Sequence, residues 1–526
     1  MSFVSLSYLI FLPVTALIGY VVPARLRYVW LLVMSLAFYA AAGWQYVPVL
    51  AACMIVTYAG GRLLDRKTPQ THTAAPQLPE SDPGKAAGES EVSANAAVAK
   101  EQPHSGEKQV SAGETRRKSP ASSRRAILLV CVDIQAGMLF VLKYLGMFVP
   151  AARGKIIAPL GISYFLLMGI SYLADVCRGK YPAERNFGLL ALYVSFFPVI
   201  SSGPIERADH MIPQFKHPGK FSADKVRDGM LILLWGYFLK LVVSDRLGLF
   251  IDTVWADPAA FGGTITVLAA MSFAFEVYCD FMGYSFIAMG SAKILGFDVM
   301  ENFRSPFLSA SMAEFWHKWH ISLSLWLKDY IYISLGGNRK GKARRFLNIL
   351  VTFFVSGLWH GADWTFVFWG LLNGSYQVIG NLLKPIRNFL VRVLKISRQS
   401  IGHRIYHALT TYALYAFSMI FFRAENFADA ARIFGAMKGF QPWVFTDGTL
   451  LSVMGNPMDG RLLLIGIVLV VVTDITRAHG ICIREHVARQ WIGTRWAITI
   501  GAVLFILVFG MWGPGYNANS FIYAQF

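Results

Sequence analysis

The sequence predicts an all-α, polytopic integral membrane protein with about eleven to thirteen membrane helices or re-entrant elements. Three observations lead there. Apolar residues make up 55% of the 526 residues and charged residues only 15%, against about 25% charged in soluble globular chains. The mean hydropathy is +0.46. Apolar runs close to the length needed to cross a bilayer recur along the chain, and 14 Trp, 39 Phe and 22 Tyr are available for two membrane interfaces. This composition excludes a disordered chain, a disulfide-rich secreted domain and an ordinary cytosolic protein.

The expected spans are, in order, 3–22, 27–42, 45–62, 126–148, 156–176, 186–204, 228–250, 264–292, 346–360, 364–383, 406–423, 460–477 and 495–513. Several are short or carry Gly and Pro, which marks them as possible re-entrant segments. No basic residue precedes the first run, so a retained span is expected there rather than a cleaved signal. No long internal repeat is visible, which argues against an inverted-repeat transporter. The organisation expected is N-terminal membrane helices over 1–65, an insertion over 66–125 and a membrane core over 126–526. The insertion is rich in Ala, Ser, Glu, Pro and Lys and lacks aromatic residues, the composition of a disordered cytoplasmic linker. Residues 384–400 set Ile386, Leu390 and Leu394 against Arg387, Arg392 and Lys395 at helical spacing, as an interfacial helix would.

Charge sets the expected topology. Arg25 and Arg27, then Arg62, Asp65, Arg66 and Lys67, then Arg178, Lys180 and Arg185 follow the first, third and fifth spans, and a loop from Lys384 to Arg404 holds six basic residues and no acid. The positive-inside rule puts these in the cytoplasm and the N-terminus outside. The net charge of +18 is thereby accounted for by topology and lipid, with no nucleic acid called for. Five scattered Cys with no Cys-x-x-Cys pair support neither a disulfide framework nor a thiolate metal site.

Ionisable groups inside apolar runs are costly and therefore point to function. Four segments hold them. Residues 315–345 contain His317, His320, Lys328, Asp329 and Tyr330 among Trp, Leu and Ile. The two His, three apart, would share a helical turn, but they lack the further ligands of a metal site. Residues 353–374 place His360 between two apolar runs, with Gly357 and Gly361 permitting close packing or a helix break, and Asp363 as an orienting group or a helix cap. A lone His is usually a satisfied core residue, yet imidazole is also suited to take a hydroxyl proton at neutral pH. Residues 273–297 put Glu276 and Asp280 on one helix face. A structural role is expected for Glu276, and Asp280 is left open between structure and proton transfer. Residues 196–215 break at Gly203 and Pro204 before Glu206 and Arg207, as a re-entrant turn lining a cavity does.

GGNRKGKA (336–343) imitates a phosphate loop until Ala343 replaces the magnesium-binding hydroxyl, and no buried strand precedes it, so it reads as a basic turn. Neither a Gly-x-Ser-x-Gly elbow nor a His-Glu-x-x-His motif occurs, which removes a self-contained serine hydrolase and a zinc protease.

Taken together, PLGISYFLLMGISYLADVCRGK (159–180), SSGPIERADHMIPQF (201–215), YCDFMGYSFIAMGSAKILGF (278–297), the 315–339 stretch, SGLWHGADWTFVFWGLLNG (356–374), FFRAENFADAARIFGAM (421–437) and FIYAQF (521–526) resemble the membrane-bound O-acyltransferase family. The likeness is greatest to its polysaccharide-modifying, alginate O-acetyltransferase branch. It covers nearly the whole chain outside 66–125, and the two His segments are its specific part. His317 stands where Arg is expected, and Ala524 where an aromatic is common.

The resemblance implies a ring of tilted helices around a central acyl-transfer channel. It implies His360 as the catalytic histidine and His320 as the second active-site position. Trp316, Trp319, Asp280, Tyr284, Ser324, Trp359 and Asn373 are then expected to contact substrate. Lys328, Arg339 and Lys342 are expected to attract the anionic part of a coenzyme A donor. No metal and no bound cofactor is expected, with acetyl-CoA as the acyl donor. The expected partners are the lipid bilayer, a polysaccharide acceptor and a periplasmic SGNH-type acetyltransferase, in a bacterial inner membrane. Competing expectations are a D-alanyl transferase for teichoic acid fed by an aminoacylated carrier, a transporter coupling protons through Glu276 and Asp280, and a non-enzymatic scaffold docking through 66–125.

Overall fold

The computed structural model describes residues 1–65, 120–149, 151 and 158–512. Among the described residues the regular structure is helical throughout. Five helical segments are long and apolar enough to cross a membrane: Ala24–Asp65, which joins two helices, Ser122–Phe148, Pro258–Ile294, Ile401–Arg423 and Ile492–Phe509. Leu6–Val21 and Ile162–Cys177 are apolar but shorter. The chain is a multi-pass membrane protein, as its composition predicts.

The spans expected at 27–42 and 45–62 are the helices Ala24–Gly43 and Val47–Asp65. Most of the expected linker, residues 66–119, lies outside the described residues, as does the FIYAQF tail. The linker boundary needs correction, because a helix already begins at Pro120 and runs to Leu139. Proline suits the first helical turn, where its missing N–H is not needed. Arg124 then ties that turn to the body, its Nη2 donating to the Val176 carbonyl at 3.0 Å.

Two expected spans are interrupted. The span at 186–204 breaks at Phe196 into Phe187–Ser195 and Phe197–Ile200. The span at 228–250 is longer, running as Ala223–Tyr237, a π-helical stretch Phe238–Ser244, and Asp245–Ala256.

The centre of the molecule is the helix Pro258–Ile294. It meets Ala223–Tyr237 antiparallel through paired glycines. A Cβ on Gly236 would lie 2.7 Å from the Gly283 carbonyl, and one on Gly290 would lie 2.6 Å from the Gly229 carbonyl. Small residues let helix backbones touch inside a membrane, where dispersion replaces the hydrophobic drive. This contact fixes the wall on which the site is built. By contrast, Lys384–Val393 buries none of its residues, and Ile386, Phe389, Leu390 and Val393 are exposed, as expected of a helix whose apolar face meets lipid.

Candidate active site

His360 is the last residue of the helix Gly341–His360, which ends where Gly361 turns extended. The next helix, Trp364–Leu382, starts from Asp363 at its N-cap position, so the cap reading of Asp363 holds for the backbone. The two helices are in backbone contact. A Cβ on Gly357 would sit 2.4 Å from the Phe366 carbonyl, and one on Gly370 would sit 2.3 Å from the Phe353 carbonyl. This approach presses the His360 ring against Trp369 and Phe422, with centroids 4.7 and 5.7 Å away. Its Nδ1 donates to the Ser356 carbonyl at 2.6 Å. A carbonyl only accepts, so Nδ1 holds the proton and neutral His360 presents Nε2 as its basic atom.

The last carbonyls of a helix lack intrahelical partners. Here the neighbouring π turn Phe140–Tyr144 supplies them. Tyr144 donates its hydroxyl to the Leu358 carbonyl at 2.6 Å. Lys143 Nζ donates to the carbonyls of Trp359 at 2.8 Å and His360 at 3.3 Å.

His320 sits at a joint. Met312–Lys318 ends before it and Ile321–Leu327 begins after it, and its backbone is left-handed at φ 43° and ψ 56°. Such a conformation is costly for a residue with a Cβ and persists only when its surroundings hold it. Asn302 does so. Its carbonyl accepts from Ile321 N at 3.0 Å. Its Oδ1 accepts from Ser322 Oγ at 2.7 Å, Ser322 N at 3.3 Å and His320 Nδ1 at 3.4 Å. The backbone N–H of Ser322 can only donate, which fixes the amide orientation and makes His320 Nδ1 a donor. Nε2 of His320 is buried without a hydrogen-bond partner among the described residues. The joint corrects the expected shared helical turn: His317 lies on the preceding helix and is exposed. Among the described residues no three His, Cys, Asp or Glu side chains cluster as metal ligands.

The histidines, forty positions apart, meet on one indole. Trp359 lies 5.7 Å from the His320 ring and 4.9 Å from the His360 ring, centroid to centroid. Both histidines are almost fully buried, at 1% and 2% exposure. Beside them a cavity of about 60 Å³ is lined by Lys143, Ser163, Tyr164, Ser201, Trp359 and His360, among others. Ser201 comes from the turn expected at Gly203–Pro204, so that turn does line a cavity. The same turn reaches His320, since Ile205 N donates to Ser322 Oγ at 3.0 Å.

The other expected contact residues divide. Trp359 is central. Trp316 is one ring removed, 5.8 Å from Trp369. Asn373 is fully buried on the same helix as Trp369, its Nδ2 donating to the Trp369 carbonyl at 2.9 Å, and its Oδ1 has no partner among the described residues. Trp319 instead packs among Tyr278, Phe303, Phe315 and Tyr415, and Ser324 Oγ donates to its carbonyl at 3.2 Å, which makes both part of the packing behind His320. Asp280 pairs with Lys240 at 2.8 Å, Lys240 also pairs with Asp245 at 2.8 Å, and its ammonium lies over the Tyr284 ring. This buried cluster ties two helices together, so the structure gives Asp280 and Tyr284 a packing role. Glu276 packs against Gly248 of the Asp245–Ala256 helix. Lys328, Arg339 and Lys342 are exposed. Lys342 lies at the opposite end of its helix from His360, about 27 Å away at 1.5 Å per residue.

Sequence reasoning missed Asn302, Lys143, Tyr144 and Lys240. The two lysines carried a usable signal, since each is a cation inside an apolar run. Asn302 and Tyr144 carried none, being neutral residues whose importance lies in what they meet.

Residues 186–422 match the model of the membrane-bound O-acyltransferase family. Over 300 residues the chain is 37% identical to the "Probable alginate O-acetylase AlgI" of Azotobacter vinelandii, covering 57% of each chain. It is 32% identical over 311 residues to the "Peptidoglycan O-acetyltransferase" of Helicobacter pylori, covering 54% of this chain and 57% of that one. It is 27% identical over 235 residues to the "Teichoic acid D-alanyltransferase" of Streptococcus thermophilus, covering 42% and 56%. The chain thus spans a little over half the length of these curated relatives. Both histidines lie within the matched segment, so the part of the chain that holds them is the part similar to the membrane-bound O-acyltransferase family.

Proposed function

We propose that the protein is an O-acyltransferase that moves a short acyl group, acetyl, from a cytoplasmic thioester donor to a hydroxyl on the far side of a bacterial inner membrane. The observation that supports this most directly is the meeting of two buried imidazoles on Trp359. Each has Nδ1 committed to a local acceptor, which leaves Nε2 as the proton-accepting atom of the neutral ring.

In this reading His360 Nε2 takes the proton of the acceptor hydroxyl as its oxygen attacks the thioester carbonyl. The tetrahedral intermediate collapses, the C–S bond breaks, and the thiolate leaves with the proton returned by His360. His320, neutral and with Nε2 as an acceptor, assists proton removal rather than polarising the carbonyl, a task that needs a donor. The walls around the pair are Trp369, Phe422 and Phe281, and a site so enclosed keeps water from the thioester.

The names of the relatives favour a polysaccharide acceptor. A periplasmic SGNH-type partner would complete transfer to sugar, and acetyl-CoA would be the donor, with Lys328, Arg339 and Lys342 meeting its distant anionic end. The N-terminus would lie outside.

The test is transfer of labelled acetyl from acetyl-CoA by the purified full chain in vesicles, with an aminoacylated carrier protein as the competing donor. Acetyl transfer by the wild type and its loss in His360→Ala, with normal membrane insertion, is the result expected. Full transfer by His360→Ala overturns the base assignment, and exclusive use of the aminoacylated carrier replaces the donor.

A further inference from the structure

The two histidines leave one task of acyl transfer undone. Both offer Nε2 as an acceptor, whereas the tetrahedral intermediate needs donors or positive charge at its oxyanion. The cavity beside His360 holds both. Tyr164 lines it, is 4% exposed, and its hydroxyl is buried without a hydrogen-bond partner among the described residues. An orphaned buried hydroxyl costs free energy unless something else completes it. The Tyr164 ring is held edge-on against Trp359, 5.5 Å between centroids, so the hydroxyl is carried on the same indole that both histidines touch.

Lys143 lines the same cavity. Its Nζ donates to the carbonyls of Trp359 and His360 and lies 3.4 Å from Ser163 Oγ. No carboxylate among the described residues pairs with it, unlike Lys240, which has two. Its partners among the described residues are carbonyls and a hydroxyl, so no carboxylate there neutralises its ammonium form, an arrangement in which a developing anion nearby favours that form. The cavity, about 60 Å³, has room for a group of a few heavy atoms and none for a long chain.

We propose that Tyr164 and Lys143 form the oxyanion site of this protein and that the cavity between them and His360 receives the carbonyl end of a short-chain acyl thioester. The inference rests on the acyl-transfer reading above. The acceptor oxygen bonds to the acyl carbon, its proton passes to His360 Nε2, and the carbonyl π pair moves onto oxygen. The Tyr164 hydroxyl donates to that oxygen while the Lys143 ammonium stabilises its charge. Collapse reforms the C=O, breaks C–S and returns the proton to the leaving thiolate.

The test measures kcat and KM for labelled acetyl-CoA with the full chain in vesicles. Tyr164→Phe removes one oxygen atom and leaves the ring packing, so a fold defect is not expected; an unchanged thermal midpoint checks this. It should lower kcat about 10²-fold with KM for the donor unchanged, the range seen when one oxyanion donor is lost. Lys143→Met should lower kcat similarly, and Lys143→Arg, which keeps the charge, should recover at least a tenth of the activity. Wild-type kcat in Tyr164→Phe, or a change confined to KM, overturns the oxyanion site. If His360→Ala is inactive in the same series, that failure is of the oxyanion site alone; if His360→Ala retains transfer, the acyl-transfer reading fails with it.

Discussion

His360 is held from within its own helix, with Nδ1 bonded to the carbonyl one turn back and the helix end closed by the adjacent pair Lys143 and Tyr144. His320 is held from outside. Its left-handed backbone is kept in place by Asn302, eighteen positions earlier, and by the turn at Ile205, more than a hundred positions earlier. Asn302 depends in turn on Glu206, which is fully buried and accepts from the backbone N–H of Met300, two residues before Asn302. A histidine set by one helix answers mainly to changes in that helix. One set by three separate segments answers to each of them.

The largest expected effect contrasts the residues themselves. His360→Ala should lower acyl transfer about 10³-fold, within the range for loss of a general base, and His320→Ala by about tenfold to a hundredfold. Equal losses, measured as kcat in vesicles, would break the asymmetry and make the pair a single catalytic unit.

Next is the helix contact that aims His360. Gly357→Ala drives a Cβ onto the Phe366 carbonyl and should cost about 1–3 kcal/mol through overpacking, read as a lowered thermal midpoint together with reduced transfer. An unchanged midpoint would mean that the helices separate freely and that the contact does not aim His360.

For the outer support, Asn302→Ala leaves the His320 and Ser322 donors unmet and should destabilise by about 1–3 kcal/mol. Transfer should fall no further than in His320→Ala, and the double variant should add little, because coupled residues are non-additive. Additive losses would separate Asn302 from His320.

The smallest effect lies at His210, on the amphipathic helix Ala208–Lys216 outside the spans. Its hydrogen bond to the Glu206 carboxylate, 2.8 Å long, raises its pKa above the ordinary value. The charged pair therefore contributes in full below about pH 6.5 and fades as pH rises through the raised value. His210 is half exposed, so solvent screening limits the contribution to under about 0.5 kcal/mol. The stability difference between wild type and His210→Gln should be present at pH 6 and absent at pH 9; a constant difference would detach this pair from the support of His320.

Much of the fold was legible in the sequence, and so were the two histidines. The spans follow from apolar length, and His320 and His360 stand out because an ionisable group in an apolar run is costly. Asp280 stood out for the same reason and its role stayed open, since the rule detects the cost and not the partner. That partner, Lys240, arrives from a different helix. The joint at His320 was invisible because His317–Lys318–Trp319–His320 has no Gly or Pro to announce a break. The break follows from how Asn302 captures Ile321 and Ser322.

By itself the sequence determined the all-helical, multi-pass class of the chain and which ionisable side chains in apolar runs are too costly to be there without a role, because apolar length and ionisable charge are properties of a residue and its neighbours in the chain. Only the tertiary structure decided that two histidines share one indole, that Asp280 pairs with Lys240 whereas Lys143 has no carboxylate partner among the described residues, and that Tyr164, whose hydroxyl is unpartnered among those residues, lines the same cavity as His360. Those are relations between groups dozens to hundreds of positions apart. They are set by the close approach of helix backbones at glycine contacts, whose pairing emerges only when the helices pack.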